Sequence, residues 1–121
     1  MVSGWWQDHT GRDLPLALLP PVGIVIEDAE GPQCALWMYL AAGIGVAWLE
    51  WPVARPGMSL KESCAAFSHA VECLEEIART HDYGMMVAHT LTPIARMMKG
   101  MGYAMENRSK ITVMKEVGHG D

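Results

Sequence analysis

The chain has 121 residues, half of them apolar and 19% charged, which fits one domain with its own core and leaves little room for a second. Nine basic residues against fourteen acidic ones give a net charge of −5; this excludes a broad nucleic-acid surface, and Arg96, Lys99, Arg108 and Lys110 read as a solvated face. No apolar run reaches the ~18–20 residues of a membrane span, and the start lacks the basic and apolar regions of a signal peptide, so a soluble, cytoplasmic protein is expected.

Gly4, Gly11, Pro15, Pro20 and Pro21 punctuate residues 1–21, which read as an irregular arm. Trp5 and Trp6 are costly to leave in water and predict that this arm packs onto the domain. VGIVIED, residues 22–28, reads as a strand closed by a turn at Glu30, Gly31 and Pro32; QCALWMYL, residues 33–40, is a second strand. After a break at Ala41 to Gly43 comes a third, IGVAWLEWPV, residues 44–53. Both of its alternating faces are apolar, which predicts a central strand covered on both sides, with Glu50 its one charged residue.

The clearest helix follows the loop 54–58. Ser59 and Glu62 fit a capping box, and Leu60, Cys64, Phe67, Val71, Leu74 and Ala78 recur in steps of four and three as one stripe. It ends near His81 to Gly84. Cys64 and Cys73 lie on opposite sides of this helix and cannot bridge; with Cys34 they read as reduced thiols. MMVAH, residues 85–89, is a short strand. Residues 91–99 form a second helix, with Thr92 as N-cap, Pro93 at its first position and Gly100 and Gly102 beyond its end. Two closing strands are predicted at 103–106 and 110–116. The class is α+β: a mixed, mostly antiparallel sheet with a long helix after the third strand and one right-handed parallel crossover.

This order resembles the GNAT (GNAT-like N-acetyltransferase) superfamily from the second strand to the last. ALWMYL followed by GVAWLEWPV looks like its central hairpin, and the helix after the loop stands where its cofactor helix would be. ARMMKGMGY, residues 95–103, resembles the family's last helix and its Gly-aromatic junction, here Gly102 and Tyr103. The opening, WWQDHTGRDLP then LLPPVGIVIED, looks like the shortened GNAT-like proteins of bacteriophages.

The resemblance implies acetyl-CoA as co-substrate and an amine as acceptor. It places the cofactor's pyrophosphate at the strand–helix turn, on Val53, Arg55, Gly57, Met58, Ser59, Leu60 and Lys61, where orphan amides and the helix dipole attract anions. The loop departs from the family pattern, keeping only the Arg and one Gly. It also implies a base on the third strand. Glu50 fills that role, since burial between Trp48 and Trp51 would raise its pKa toward a useful range. The family's usual tyrosine acid, five residues before the Gly-aromatic aromatic, is replaced by Met98; Tyr83 and His89 are possible substitutes. The histidines have no HxxxH or HExxH spacing, so no metal site is expected. The ten methionines read as adaptable core, with a soft partner surface as the alternative.

Two functions stand side by side, ahead of a third, a CoA-binding regulatory domain that binds without transferring. One is an acetyl-CoA-dependent N-acyltransferase, with a homodimer possible. The other is a non-catalytic GNAT-like phage protein, a virion component or an inhibitor that binds a host factor. The enzyme predicts an open cleft between the third and fourth strands and unpaired loop amides; the non-catalytic module predicts a cleft filled by side chains.

Overall fold

The structure, a computed structural model, describes residues 22–41, 43–90 (Trp51 by its backbone only) and 92–106, together with Gly4, Trp5, Gln7, Val113 and Lys115. β1 (Val22–Asp28) and β2 (Gly31–Ala41) form an antiparallel hairpin. Asp28 Oδ1 accepts the Glu30 N–H at 2.8 Å, the local bond by which an Asp closes a turn. Gly31, at φ 116°, takes the left-handed position after it. β2 therefore begins at Gly31 and not at Gln33. Pro32 is tolerated because the register shifts between Ile26 and Glu27, where a missing N–H does least harm.

β3 (Val46–Ala54) pairs antiparallel with β2, and β4 (Met85–Ala88) pairs parallel with β3, giving the order β1-β2-β3-β4. Gly43 and Gly45, at φ 90° and 67°, bend the connection, so Ile44 sits exposed in the turn and does not open the strand.

α1 (Leu60–Thr80) carries the predicted cap: Ser59 Oγ accepts the Glu62 N–H at 3.1 Å, and Glu62 Oε1 accepts the Ser59 N–H at 3.4 Å. Phe67, Val71, Leu74 and Ala78 of the stripe are buried, joined by Ala66 and Ala70; Leu60, in the first turn, is exposed. α2 (Thr92–Gly100) packs beside α1, burying Met98. Both helices end alike. Asp82 (φ 63°) and Gly102 (φ 101°) take the left-handed position, and the next residues, Tyr83 and Tyr103, donate back to Ala78 O and Met98 O at 2.9 and 3.1 Å. This six-to-one closure satisfies orphan carbonyls.

The core joins Leu36 and Met38 of β2, Ala47 and Leu49 of β3, the α1 stripe and Met98. β3 is central, as predicted. Both described helices pack on its Ala47–Leu49 face, so Val46, Trp48 and Glu50, on the other face, are only half-buried among the described residues. Residues 103–106 do not form the predicted strand. Tyr103 instead donates its hydroxyl to Glu75 Oε2 at 3.0 Å, fastening the chain to α1. Most of 110–116 lies outside the described residues, and Val113 and Lys115 are not in a strand. Gly4, Trp5 and Gln7 have helical backbone where an irregular arm was expected; the rest of that arm lies outside the described residues. Among the described residues, no helix is long and apolar enough to cross a membrane.

Candidate functional site

The site begins where a ladder ends. β3 and β4 pair from Val46↔Met85 to Leu49↔Ala88. One step further along, no backbone pairing joins the strands, and the side chains of Glu50 and His89 meet instead. His89 Nδ1 lies 3.3 Å from Glu50 Oε1. The His89 ring also stacks on Trp48, with centroids 5.5 Å apart and planes 29° from parallel. Strand alternation puts Trp48 and Glu50 on one face, so a single imidazole reaches both. Glu50 is less desolvated than the sequence implied: 29% of its side chain is exposed, and 53% of that of His89. The side chain of Trp51 lies outside the described residues.

Behind this pair, between β3, β4 and the two helices, is a cleft lined by Leu36, Leu49, Phe67, Val71 and Met98, with His89 and Thr90 as its polar members. Its free volume is about 10 Å³, room for no more than one water. Met98, which stands where the family pattern has a tyrosine, is 4% exposed and forms part of the wall. The cleft therefore exists between the expected strands but is nearly filled. Thr90 Oγ1 is buried with no hydrogen-bond partner among the described residues, a rare condition in native proteins.

The strand–helix turn is split between two duties. Gly57 takes φ 87°, a backbone position that favours glycine. Pro56 and Gly57 form a hydrogen-bonded turn, the amides of Leu60 and Lys61 fall in the first helical turn, ahead of the intrahelical ladder, and Ser59 and Glu62 satisfy each other. Lys61 is exposed and makes no ion pair among the described residues. The guanidinium of Arg55 is engaged elsewhere. It donates to Pro32 O at 3.1 Å and to Asp28 at 3.4 and 3.5 Å, and lies 3.6 Å from Glu30. This partner holds the Asp28 carboxyl below its ordinary pKa. Val53 is 3% exposed, and Met58 packs against the core, so both offer backbone more than side chain. Free amides at a helix N-terminus fit a pyrophosphate, and the Glu62 carboxylate beside them opposes one.

The structure thus brings Glu50 together with His89, and Gly57, Met58, Leu60 and Lys61 into one turn, while Arg55 secures the β1–β2 hairpin. Tyr83, the other acid considered, lies before β4 and His89 after it, at opposite ends of the strand. Thr90 was not legible as a site residue, since nothing in its sequence neighbourhood signals burial.

No family model matches the chain, and no curated protein matches it. Among solved structures, a point mutant of a Thermus thermophilus protein superposes with TM-score 0.63 over 90% of this chain and 85% of that one, at 13% identity. An acetyltransferase from Trypanosoma brucei superposes with TM-score 0.56 over 76% of this chain and 68% of its own, at 14% identity. Identities this low speak to the fold alone: a mixed α+β, mostly antiparallel GNAT-like fold.

Proposed function

We propose that the chain is an acetyl-CoA-dependent N-acyltransferase. The observation that carries this reading is the end of the β3–β4 ladder, where a carboxylate and an imidazole meet beside an apolar cleft. In the proposed reaction the acceptor arrives as an ammonium ion and passes a proton to the Glu50–His89 pair, directly or through water. The freed nitrogen lone pair forms a bond to the thioester carbonyl carbon, and the carbonyl π electrons move to its oxygen. When they return, the C–S bond breaks and the sulfur leaves as the CoA thiolate. The nitrogen, positively charged since it added, sheds one more proton to solvent to become the neutral amide, and the thiolate takes its proton from solvent or from protonated His89.

The amides of Gly57, Met58, Leu60 and Lys61, with the Lys61 ammonium, are the proposed pyrophosphate cradle. Ser59 contributes by ordering the turn, Val53 by its backbone, and Arg55 by anchoring the strand from which the turn departs. Placement among shortened phage-type members rests on the sequence resemblance of the opening residues. A cytoplasmic setting is supported by three free thiols.

Calorimetric titration with acetyl-CoA, with free CoA as control, tests the reading. Micromolar binding is expected; no binding at millimolar cofactor sinks it. The second reading, a non-catalytic module, is favoured by one observation: the cleft holds only about 10 Å³ of free space, with Met98 in its wall. That reading expects no CoA binding and a protein partner or a second copy of the chain.

A further inference from the structure

The face of the sheet turned away from the helices carries an aromatic surface that the core does not use. Strand pairing sets it out in rows: Tyr39, Trp48 and Val87 share one, and Trp37 and Glu50 share the next. Trp37, Tyr39 and Trp48 are all half-buried. The two indoles are drawn to opposite sides. That of Trp37 lies over Gly23 of β1, so close that a Cβ there would stand 2.7 Å from its ring, and that of Trp48 stacks on His89. Glu50 stands between these two contacts, with 29% of its side chain exposed. Charge on this face is sparse. The strands β1 to β4 contain no lysine or arginine, and their acids are Glu27, Asp28 and Glu50. Asp28 is paired with Arg55, and Glu27 lies roughly 13 Å along β1 from Gly23. An amine bound beside Glu50 therefore meets one carboxylate, a broad apolar surface and no cation of the strands.

From this we infer that the acceptor is a monoamine with a flat apolar body and no carboxylate, its ammonium at Glu50 and its body across Trp37 and Trp48. The inference rests on the acyl-transfer reading above. A ring laid on these indoles removes apolar surface from water on both partners and gains from stacking. The ammonium faces Glu50 and is also attracted by the indole faces. A second ammonium would lose its water without meeting a second carboxylate, and a carboxylate on the acceptor would lie against Glu50 and apolar rings. Trp37 is then a specificity-determining residue, and its place is kept by the absence of a side chain at Gly23.

The test follows release of the CoA thiol from acetyl-CoA with phenethylamine, phenylalanine and putrescine as acceptors, in the wild type, Trp37→Ala, Trp37→Phe and Gly23→Ala. Phenylalanine adds a carboxylate to the body of phenethylamine, and putrescine replaces its ring with a second ammonium. In the wild type, phenethylamine is expected to exceed both in kcat/KM by about tenfold or more. Trp37→Ala is expected to raise KM for phenethylamine about 2–10-fold with kcat held, and Trp37→Phe to recover most of that loss. Gly23→Ala, which displaces the indole, is expected to raise KM in the same way. Equal turnover of phenylalanine or putrescine overturns the acceptor class and leaves acyl transfer standing. Acetyl-CoA binding without turnover of phenethylamine also overturns the class, with the cofactor reading intact. An unchanged KM in both Trp37→Ala and Gly23→Ala removes Trp37 from recognition. The comparison of the three amines in the wild type decides the class even where Trp37→Ala does not fold. A wild type that does not bind acetyl-CoA overturns both readings.

Discussion

The two faces of β3 follow opposite rules. On one, Ala47 and Leu49 lie against α1, and Met38, Val71 and Leu74 of the same core are sealed from water. On the other, the strand leaves its partner after Leu49↔Ala88, and Glu50 and His89 find each other in partial contact with solvent. The first arrangement is set by apolar area, and Thr90 Oγ1, in the cleft with Leu49, Phe67 and Met98, is its one buried side-chain polar atom without a partner among the described residues. The second holds a carboxylate and an imidazole, with Trp48 stacked on the imidazole. The sealed core and the Glu50–His89 pair thus lie on opposite faces of one strand. Polar groups kept at the boundary of a packed core in this way are the usual mark of a site.

Substitutions on the two faces are expected to act on different observables. Glu50→Gln is expected to lower turnover of an amine substrate by about 10²–10⁴-fold and to flatten its pH dependence, while changing stability by at most about 1 kcal/mol. Equal turnover across pH would remove Glu50 from the mechanism. Leu74→Ala, in the sealed face, is expected to destabilise by about 2–5 kcal/mol in denaturant titration, with the ratio of acetyl-CoA to CoA affinity unchanged. A change in that ratio would mean the two faces are coupled.

The packed face also has a titration of its own. Burial pushes the Cys34 thiol from its ordinary 9.0 up to about 11. Burial, then the hydrogen bond to Glu75, raises the Tyr103 hydroxyl well above its ordinary 10.0. Both groups are held protonated in the fold, so the unfolded chain releases its protons first as pH rises. Their stabilising contribution is complete below about pH 9 and is lost through about pH 11 and beyond. Urea midpoints measured from pH 7 upward should therefore fall above pH 9, and Tyr103→Phe should make the fall shallower. A flat profile would place both side chains in water.

The smallest effect concerns the helix ends. α1 closes with Asp82 at φ 63°, where α2 uses Gly102. Asp82→Gly is expected to stabilise by about 0.5–1 kcal/mol through relief of the left-handed conformation. A loss in its place would show that the Asp82 side chain has a role at the ladder's closed end, where Gly84 and Met85 donate to Gly45 O.

Much of this was legible in the amino-acid sequence because it depends on near neighbours along the chain. The capping box at Ser59 and Glu62 and the stripe Phe67, Val71, Leu74 and Ala78 arise from contacts three and four residues apart, and the strand alternations arise from a period of two. Composition and order were enough for the α+β class, and the glycines at 43, 57 and 102 stand at the breaks where they were read, while Gly45, read as part of the third strand, lies in the turn before it. What escaped the sequence depends on register between distant segments. Glu50 and His89 are 39 residues apart, and only the parallel pairing of β3 with β4 puts them in step. Leu60 belonged to the stripe by spacing, yet α1 meets the sheet beyond its first turn. Arg55 matched an anion loop by motif, but the β1–β2 turn had already brought Asp28 and a carbonyl to it. The burial of the Thr90 hydroxyl is of the same kind. The sequence by itself determined the two helices α1 and α2, the strands β1 to β4 and the buried stripe of α1, because those choices are settled within a few residues. Which polar side chains then meet, and which one is left without a partner, only the tertiary structure decided, because that depends on how the strands are registered and where their pairing stops.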